Sequence, residues 1–419
     1  MHMKRVVITG MGTLNPLGNN IEEYWNGLAN GVSGAGPITR FDASKFKTRF
    51  ACEVKNYDPN NHFEKGEARR YDLFAQYALV SVAEALKNSG LLEYADLNKE
   101  RVGVIWGSGN GGIGTLEHEV TEYVKGDGTP KFNPFLVPKM IVNIASGLIS
   151  IKYGFKGVNY VTVTACAASN SAISAAFDNI RLGKADVMIA GGSEAPLTHA
   201  SVGGFGSMKA LSTRNDDPKT ASRPWDKNRD GFVIGEGAGA LVLESLEHAT
   251  ARGANILAEI IGTAMTADAY HISATHPEGE GAYRAMKLAM DEAGITVNDI
   301  DYINAHATST PVGDPSEVMA IGRLLEGSDK KLTVSGTKSM TGHLLGGAGA
   351  VEAIASILAM QYSLIPPTIN IEDMDDNINP QVEIVANKAM PKELNICMSN
   401  TFGFGGHNAI VIFKKWSGN

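Results

Sequence analysis

Short apolar runs closed by glycine or a polar cluster recur along the chain, separated by longer stretches with helical spacing. "KRVVITGMG" reads as a buried strand ending in glycines, and "NNIEEYWNGLANG" as a helix with an Asn cap and a Gly stop. Residues 69–89 form a long, largely apolar helix, followed by the strand "RVGVIWGSG". The strand-like "VTVT" then stops at Cys166, a run of small residues predicts a helix over about 167–182, and "ADVMIAGG" and "GFVIGEGAGALVLESL" read as further strands. From about Ile256 the order restarts: strand "ILAEIIGTAMTAD", helix "AYRAMKLAMDEAG", strand "DYINAHATST", helix "PSEVMAIGRLLEG", strand "KLTVSGTK" and a small-residue helix "GAGAVEAIASILAMQ". The closing "TFGFGGHNAIVIF" echoes "FVIGEGAGALVLE" as a glycine turn plus a strand. Alternating strands and helices predict parallel or mixed sheets covered by helices. The echo predicts two similar halves, residues 3–255 and 256–419.

Composition narrows the classes. Of 419 residues, 43% are apolar, enough to bury a large core without disulfide or metal staples. The 47 glycines cluster at element ends, which points to tight turns around a site. A formal net charge of −8 with interspersed signs argues against a general nucleic-acid surface. Three cysteines, none in a C-x-x-C pair, suit a reducing compartment rather than a disulfide framework. No apolar run is long enough to span a bilayer, and the opening residues enter a strand at once, so the expectation is a cytoplasmic protein without membrane insertion.

Several local patterns have structural readings. "GSGNGG" matches G-x-G-x-x-G after a strand, yet no second strand ending in an acidic residue follows at the right distance, since Asp127 falls in a loop. "GTKS" lacks the glycine spacing of a phosphate loop, and "GGSEA" misses the nucleophile elbow G-x-S-x-G by its last residue. All three read as turns. The ten histidines show no metal-ligand spacing, and no metal is expected.

Cys166 stands apart from Cys52 and Cys397. By residue type alone a free cysteine packs as a small hydrophobe more often than it reacts. A helix beginning just after Cys166, however, would aim free N–H groups and the positive dipole end at its sulfur, favouring thiolate. His306 and His343 sit where strand-like segments meet turns of small residues. Such histidines are often satisfied loop residues, and they are also the usual partners of an activated cysteine.

Cys166 in "TACAAS", His306 in "NAHATSTP", Lys338 and His343 in "GTKSMTGHLLGGAG", and the C-terminal "SNTFGFGGHNA" together resemble the β-ketoacyl-acyl-carrier-protein synthases, nearest to the type II enzyme of bacterial fatty acid synthesis. The resemblance implies a thiolase-like α/β fold of two pseudo-repeated halves in an α-β-α-β-α arrangement, assembled as a homodimer. It implies an acyltransferase that condenses malonyl-carrier protein with a Cys166-bound acyl group, with acyl carrier protein as partner and no cofactor. Cys166, His306, His343 and Lys338 take the catalytic places, Glu352 supports Lys338, and the N–H groups of Cys166 and Phe404 form the oxyanion hole. Thr308 and Thr310 fall at pantetheine positions, and Phe205, Phe402 and Asn110 at acyl-pocket positions, although these aromatics could equally be core. Lys65, Arg69, Arg70 and Lys209 fall near carrier-docking positions, or form an ordinary solvated face. Ala307 stands where the family usually has Gly, His407 where Thr is common, and Asn110 where an apolar residue closes the pocket. The alternatives are a polyketide ketosynthase, which shares these motifs, and a thiolase using acyl-coenzyme A. A thiolase needs a second cysteine near the C-terminus, and Cys397 comes too early for it. A non-catalytic chain-length subunit would lack Cys166.

Overall fold

The computed structural model describes residues 3–418. Eleven strands form one continuous sheet: β1 (Val6–Leu14), β2 (Val102–Gly107), β3 (Asn159–Thr162), β4 (Val187–Glu194), β5 (Gly237–Ser245), β6 (Ala258–Ala267), β7 (Tyr302–Asn304), β8 (Leu332–Ser335), β9 (Val382–Ile384), β10 (Ile396–Gly403) and β11 (His407–Lys415). Their order is β9-β8-β7-β10-β11-β6-β1-β5-β4-β2-β3. Around the central antiparallel β1–β6 pair, β1 to β5 are mirrored by β6, β7, β8, β10 and β11, with the same parallel and antiparallel neighbours on each side. β9 is the additional strand, parallel to β8.

Five long helices set the layers: α1 (Leu73–Ser89), α2 (Ala168–Arg181), α3 (Glu280–Ala293), α4 (Gly313–Leu324) and α5 (Ala348–Tyr362). α1 covers the outer face of β1, β5 and β4, while α3 covers the corresponding face of β6 and β11. α2 and α5 pack against strands from both sides of the repeat and against each other, forming a middle helical layer. Every residue of α5 from Ala348 to Met360 is buried, which is why its sequence is apolar or small on all faces except at Glu352. The result is five layers, helix–strand–helix–strand–helix, with apolar cores on both sides of the middle one.

Local chemistry explains the element ends. Asn20 caps the Ile21–Ala29 helix by accepting the Glu23 N–H at 2.9 Å. The helix expected from residue 69 begins at Leu73 instead, because the Asp72 carboxylate accepts the Phe74 N–H and ends a short 3₁₀ turn at Ala68–Arg70. Gly90 closes α1 in the left-handed conformation. Among the described residues no helix is long and apolar enough to cross a membrane.

Candidate active site

Cys166 sits in a tight Ala165–Ala167 turn between β3 and α2, half-buried, after Ala165 at φ +49°. Two glycines make the turn possible. A Cβ on Gly107 would lie 2.5 Å from the backbone of Ala168 and Ser169, so the end of β2 meets the start of α2 backbone to backbone. A Cβ on Gly403 would lie 2.7 Å from the Thr164 carbonyl oxygen and 3.0 Å from the Cys166 nitrogen, so only glycine lets the end of β10 close over the turn. Phe404 follows, and its N–H and that of Cys166 both point at the sulfur. The expectation of a thiol biased to thiolate by the helix start is corrected here. Burial pushes the Cys166 thiol up to about 12, with Glu194 acting in the same direction, against the opposing pull of Lys338 and the two N–H groups.

His306 lies in the loop after β7. Its backbone is fixed by the buried Glu317 carboxylate of α4, which accepts the N–H of His306 at 2.9 Å and of Ala307 at 2.8 Å. Ala307 has φ +36°, a region that favours the glycine usual at this position. His343 follows the short Lys338–Thr341 helix and is pinned through its backbone to Val233 and Gly235. The two imidazoles stand perpendicular, centroids 5.3 Å apart, with Phe402 beside His306 and Phe232 beside His343. Burial first, and Lys338 second, hold both histidines well below the usual value, so both are neutral at physiological pH. Among the described residues neither Nδ1 has a hydrogen-bond partner.

Behind them the Lys338 ammonium is hydrogen-bonded to the Glu352 carboxylate, each only 1% exposed. Burial pushes the Glu352 carboxyl up to about 7 against the pull of Lys338.

These groups open into a cavity of about 350 Å³ lined by Cys166, His306, His343, Phe205, Phe402 and Phe404. Thr308 and Thr310 line its mouth, their hydroxyl oxygens 3.1 Å apart, and Lys209 stands there exposed. Cys52 and Cys397 are buried in the core, away from it. Asn110 is not brought to the cavity: it is exposed, and its backbone N–H donates to Glu194. Lys65, Arg69 and Arg70 are exposed, and the two arginines line a separate open depression with Lys131 and Phe132. Sequence reasoning assigned no role to Phe232, Glu317 or Glu194, all of which the fold places at or beside the site. The only signals were the acidic position at the end of "NAHATSTPVGDPSE" and the "GGSE" strand end. Among the described residues no group of three His, Cys, Asp or Glu side chains is arranged to hold a metal.

Residues 3–249 match the model of the beta-ketoacyl synthase N-terminal domain, and residues 257–372 that of its C-terminal domain. The chain belongs to the beta-ketoacyl synthase family. It is 50% identical over 413 residues to a 3-oxoacyl-[acyl-carrier-protein] synthase 2 of Staphylococcus aureus (strain N315), covering 99% of each chain. A beta-ketoacyl synthase from Burkholderia phymatum superposes with a TM-score of 0.91 at 34% identity, over 99% of this chain and 100% of that one. A ketosynthase solved with its type II polyketide acyl-carrier protein and bound to a hexaketide superposes with a TM-score of 0.89 at 31% identity, over 99% and 100%. The five layers are thus the thiolase-like fold of the beta-ketoacyl synthases.

Proposed function

We propose that this chain is a 3-oxoacyl-acyl-carrier-protein synthase that extends fatty acyl chains by decarboxylative condensation. The observation that carries this reading is one cavity holding a half-buried thiol, two neutral imidazoles and two backbone N–H groups aimed at the sulfur.

The thiol of Cys166 attacks the thioester of an acyl-carrier protein. A Cys166–acyl bond forms, the pantetheine C–S bond breaks, and the thiol proton ends on the departing pantetheine sulfur. The N–H groups of Cys166 and Phe404 hold the tetrahedral oxyanion, each such donor being worth about 10²–10³ in rate. Malonyl-carrier protein then enters past Thr308 and Thr310, whose hydroxyls suit the pantetheine amides. Its carboxylate leaves as CO₂, and the released electron pair becomes an enolate whose oxygen accepts one N–H from each of His306 and His343. Neutral histidines suit this task, because each can donate to the enolate without protonating its carbon. The carbanion attacks the Cys166 thioester, the C–S bond to Cys166 breaks, a 3-oxoacyl chain two carbons longer leaves on the carrier, and the Cys166 sulfur takes a proton from water to restore the thiol. Burial first, and Lys338 paired with Glu352 second, keep both imidazoles neutral.

Identity of 50% to a 3-oxoacyl-[acyl-carrier-protein] synthase 2, against 31% to the polyketide ketosynthase, favours fatty acid elongation. A thiolase is disfavoured because, among the described residues, no second cysteine lines the cavity. Lys209 at the cavity mouth, and Lys65, Arg69 and Arg70 on the surface, offer the positive charge an acidic carrier protein would meet in the cytoplasm. A second copy of the chain would pair on the open edge of β3, where Tyr160 and Val163 are exposed. Incubation with acyl- and malonyl-carrier protein tests the reading: the expected product is 3-oxoacyl-carrier protein with release of CO₂, and its absence with both loaded carriers would overturn it.

A further inference from the structure

The turn that holds Cys166 has a counterpart. Ala165–Ala167 leads from β3 into α2, and Leu345–Gly347 leads toward α5 after the matching strand β8. Both turns start with a left-handed residue, Ala165 at φ +49° and Leu345 at φ +47°. Gly346 therefore stands where Cys166 stands. The ends of the matching strands β10 and β4 close over these turns reciprocally: β10 brings the Phe404 N–H to Cys166, and β4 brings the Glu194 carboxylate to Gly346.

Glu194 is completely buried, and no cation pairs with it among the described residues. Its oxygens accept four hydrogen bonds: Gly109 N–H at 2.7 Å, Asn110 N–H at 3.0 Å, Gly346 N–H at 3.0 Å and the Ser108 hydroxyl at 3.0 Å. Burial pushes the Glu194 carboxyl up and these four donors oppose it; three of them are backbone N–H groups that cannot accept, so the hydrogen-bond set matches an ionised carboxylate. The "GSGNGG" loop thus binds an internal anion with the N–H groups that resemble a phosphate cradle in sequence. The loop also packs on the nucleophile's turn, since a Cβ on Gly109 would contact the Ala165 Cα at 3.9 Å. A Cβ on Gly346 would fall 2.4 Å from the Gly109 nitrogen, so the Gly346 turn closes on this same loop, and Glu194 bonds both.

We propose that Glu194 is a positioning residue: it ties the loop that packs on the Cys166 turn to the histidine-bearing side of the molecule and adds a negative charge that works with burial to keep Cys166 a thiol until a thioester docks. This rests on Cys166 being the nucleophile. The other charged or titratable groups facing the sulfur are Lys338 behind it and, across the cavity, neutral His306 and His343, with Lys209 and Asp268 toward the mouth.

The test is the pH dependence of Cys166 alkylation by iodoacetamide, read by mass mapping, in the parent and in Glu194→Gln. Removal of the charge should move the inflection to lower pH by about one unit. Acylation of Cys166 from acyl-carrier protein should fall roughly tenfold to a hundredfold as the turn loosens. A folded Glu194→Gln protein with the parent's inflection overturns the proposal, even if acylation falls, because a purely structural role would leave the titration in place. If that variant does not fold, Glu194→Asp decides: drawing the charge back from the turn should shift the inflection the same way by a smaller amount, and an unchanged inflection is again fatal. A parent protein that alkylates at Cys166 but never acylates from carrier protein would instead sink the functional reading.

Discussion

The imidazoles of His306 and His343 meet edge to face, 5.3 Å apart, in a site that disfavours a proton on either. Burial and the nearby Lys338 charge both act against imidazolium, so each neutral ring keeps one N–H that it can donate. His306→Ala or His343→Ala should leave Cys166 acylation largely intact while malonyl decarboxylation falls by about 10²–10⁴. Separate assays of the half-reactions check this, and equal loss of both would mean that the histidines also activate the thiol.

The same depression has a pH consequence. Groups whose folded value lies below the unfolded one lend stability above the unfolded value and withdraw it as pH falls. The contribution of His306 and His343 should therefore be complete above about pH 6.5 and decline progressively below it. Denaturant unfolding at a series of pH values should show this acid-side loss, and it should be absent in a doubly substituted His306→Phe/His343→Phe protein.

Lys338 and Glu352 form an ion pair with almost no solvent access. Lys338→Met leaves a buried carboxylate without its cation and should destabilise the fold by about 3–5 kcal/mol, whereas adding Glu352→Gln should recover much of that loss. Equilibrium unfolding of the three variants measures the coupling. Independent additive effects would show that the pair is not acting as one unit.

Replacing Cys166 by Gln puts an amide carbonyl under the Phe404 N–H without a nucleophile. The variant should decarboxylate malonyl-carrier protein and never condense it, as product mass and CO₂ release would show. No decarboxylation at all would argue against the acyl-state geometry.

Gly403→Ala would set a methyl 2.7 Å from the Thr164 oxygen and 3.0 Å from the Cys166 nitrogen, forcing the Phe404 N–H away from the sulfur. Loss of that donor should lower the acylation rate by about 10²–10³, measured as the burst of acyl-enzyme. A near-normal burst would show that Cys166 N–H alone holds the oxyanion.

Much of this was written in local sequence. The periods of apolar residues placed the strands and helices, and four loops at strand ends carried Cys166, His306, Lys338 with His343, and Phe404. Those features depend on residues within a turn or two of each other, where spacing and residue type decide. What the sequence could not show depends on backbone approaching backbone across long separations. Glu194 finds Gly109 85 residues away and Gly346 152 residues away. Glu317, to which the sequence assigned no role, proves to hold the His306 loop through its backbone. Asn110, a pocket residue by its place in the chain, is exposed and lies outside the cavity lining, its backbone N–H bonded to Glu194. The thiol shows the same division: a helix start favours thiolate locally, and only the assembled layers supply the burial that reverses it. Sequence set which groups were available, and packing set the charge each one carries.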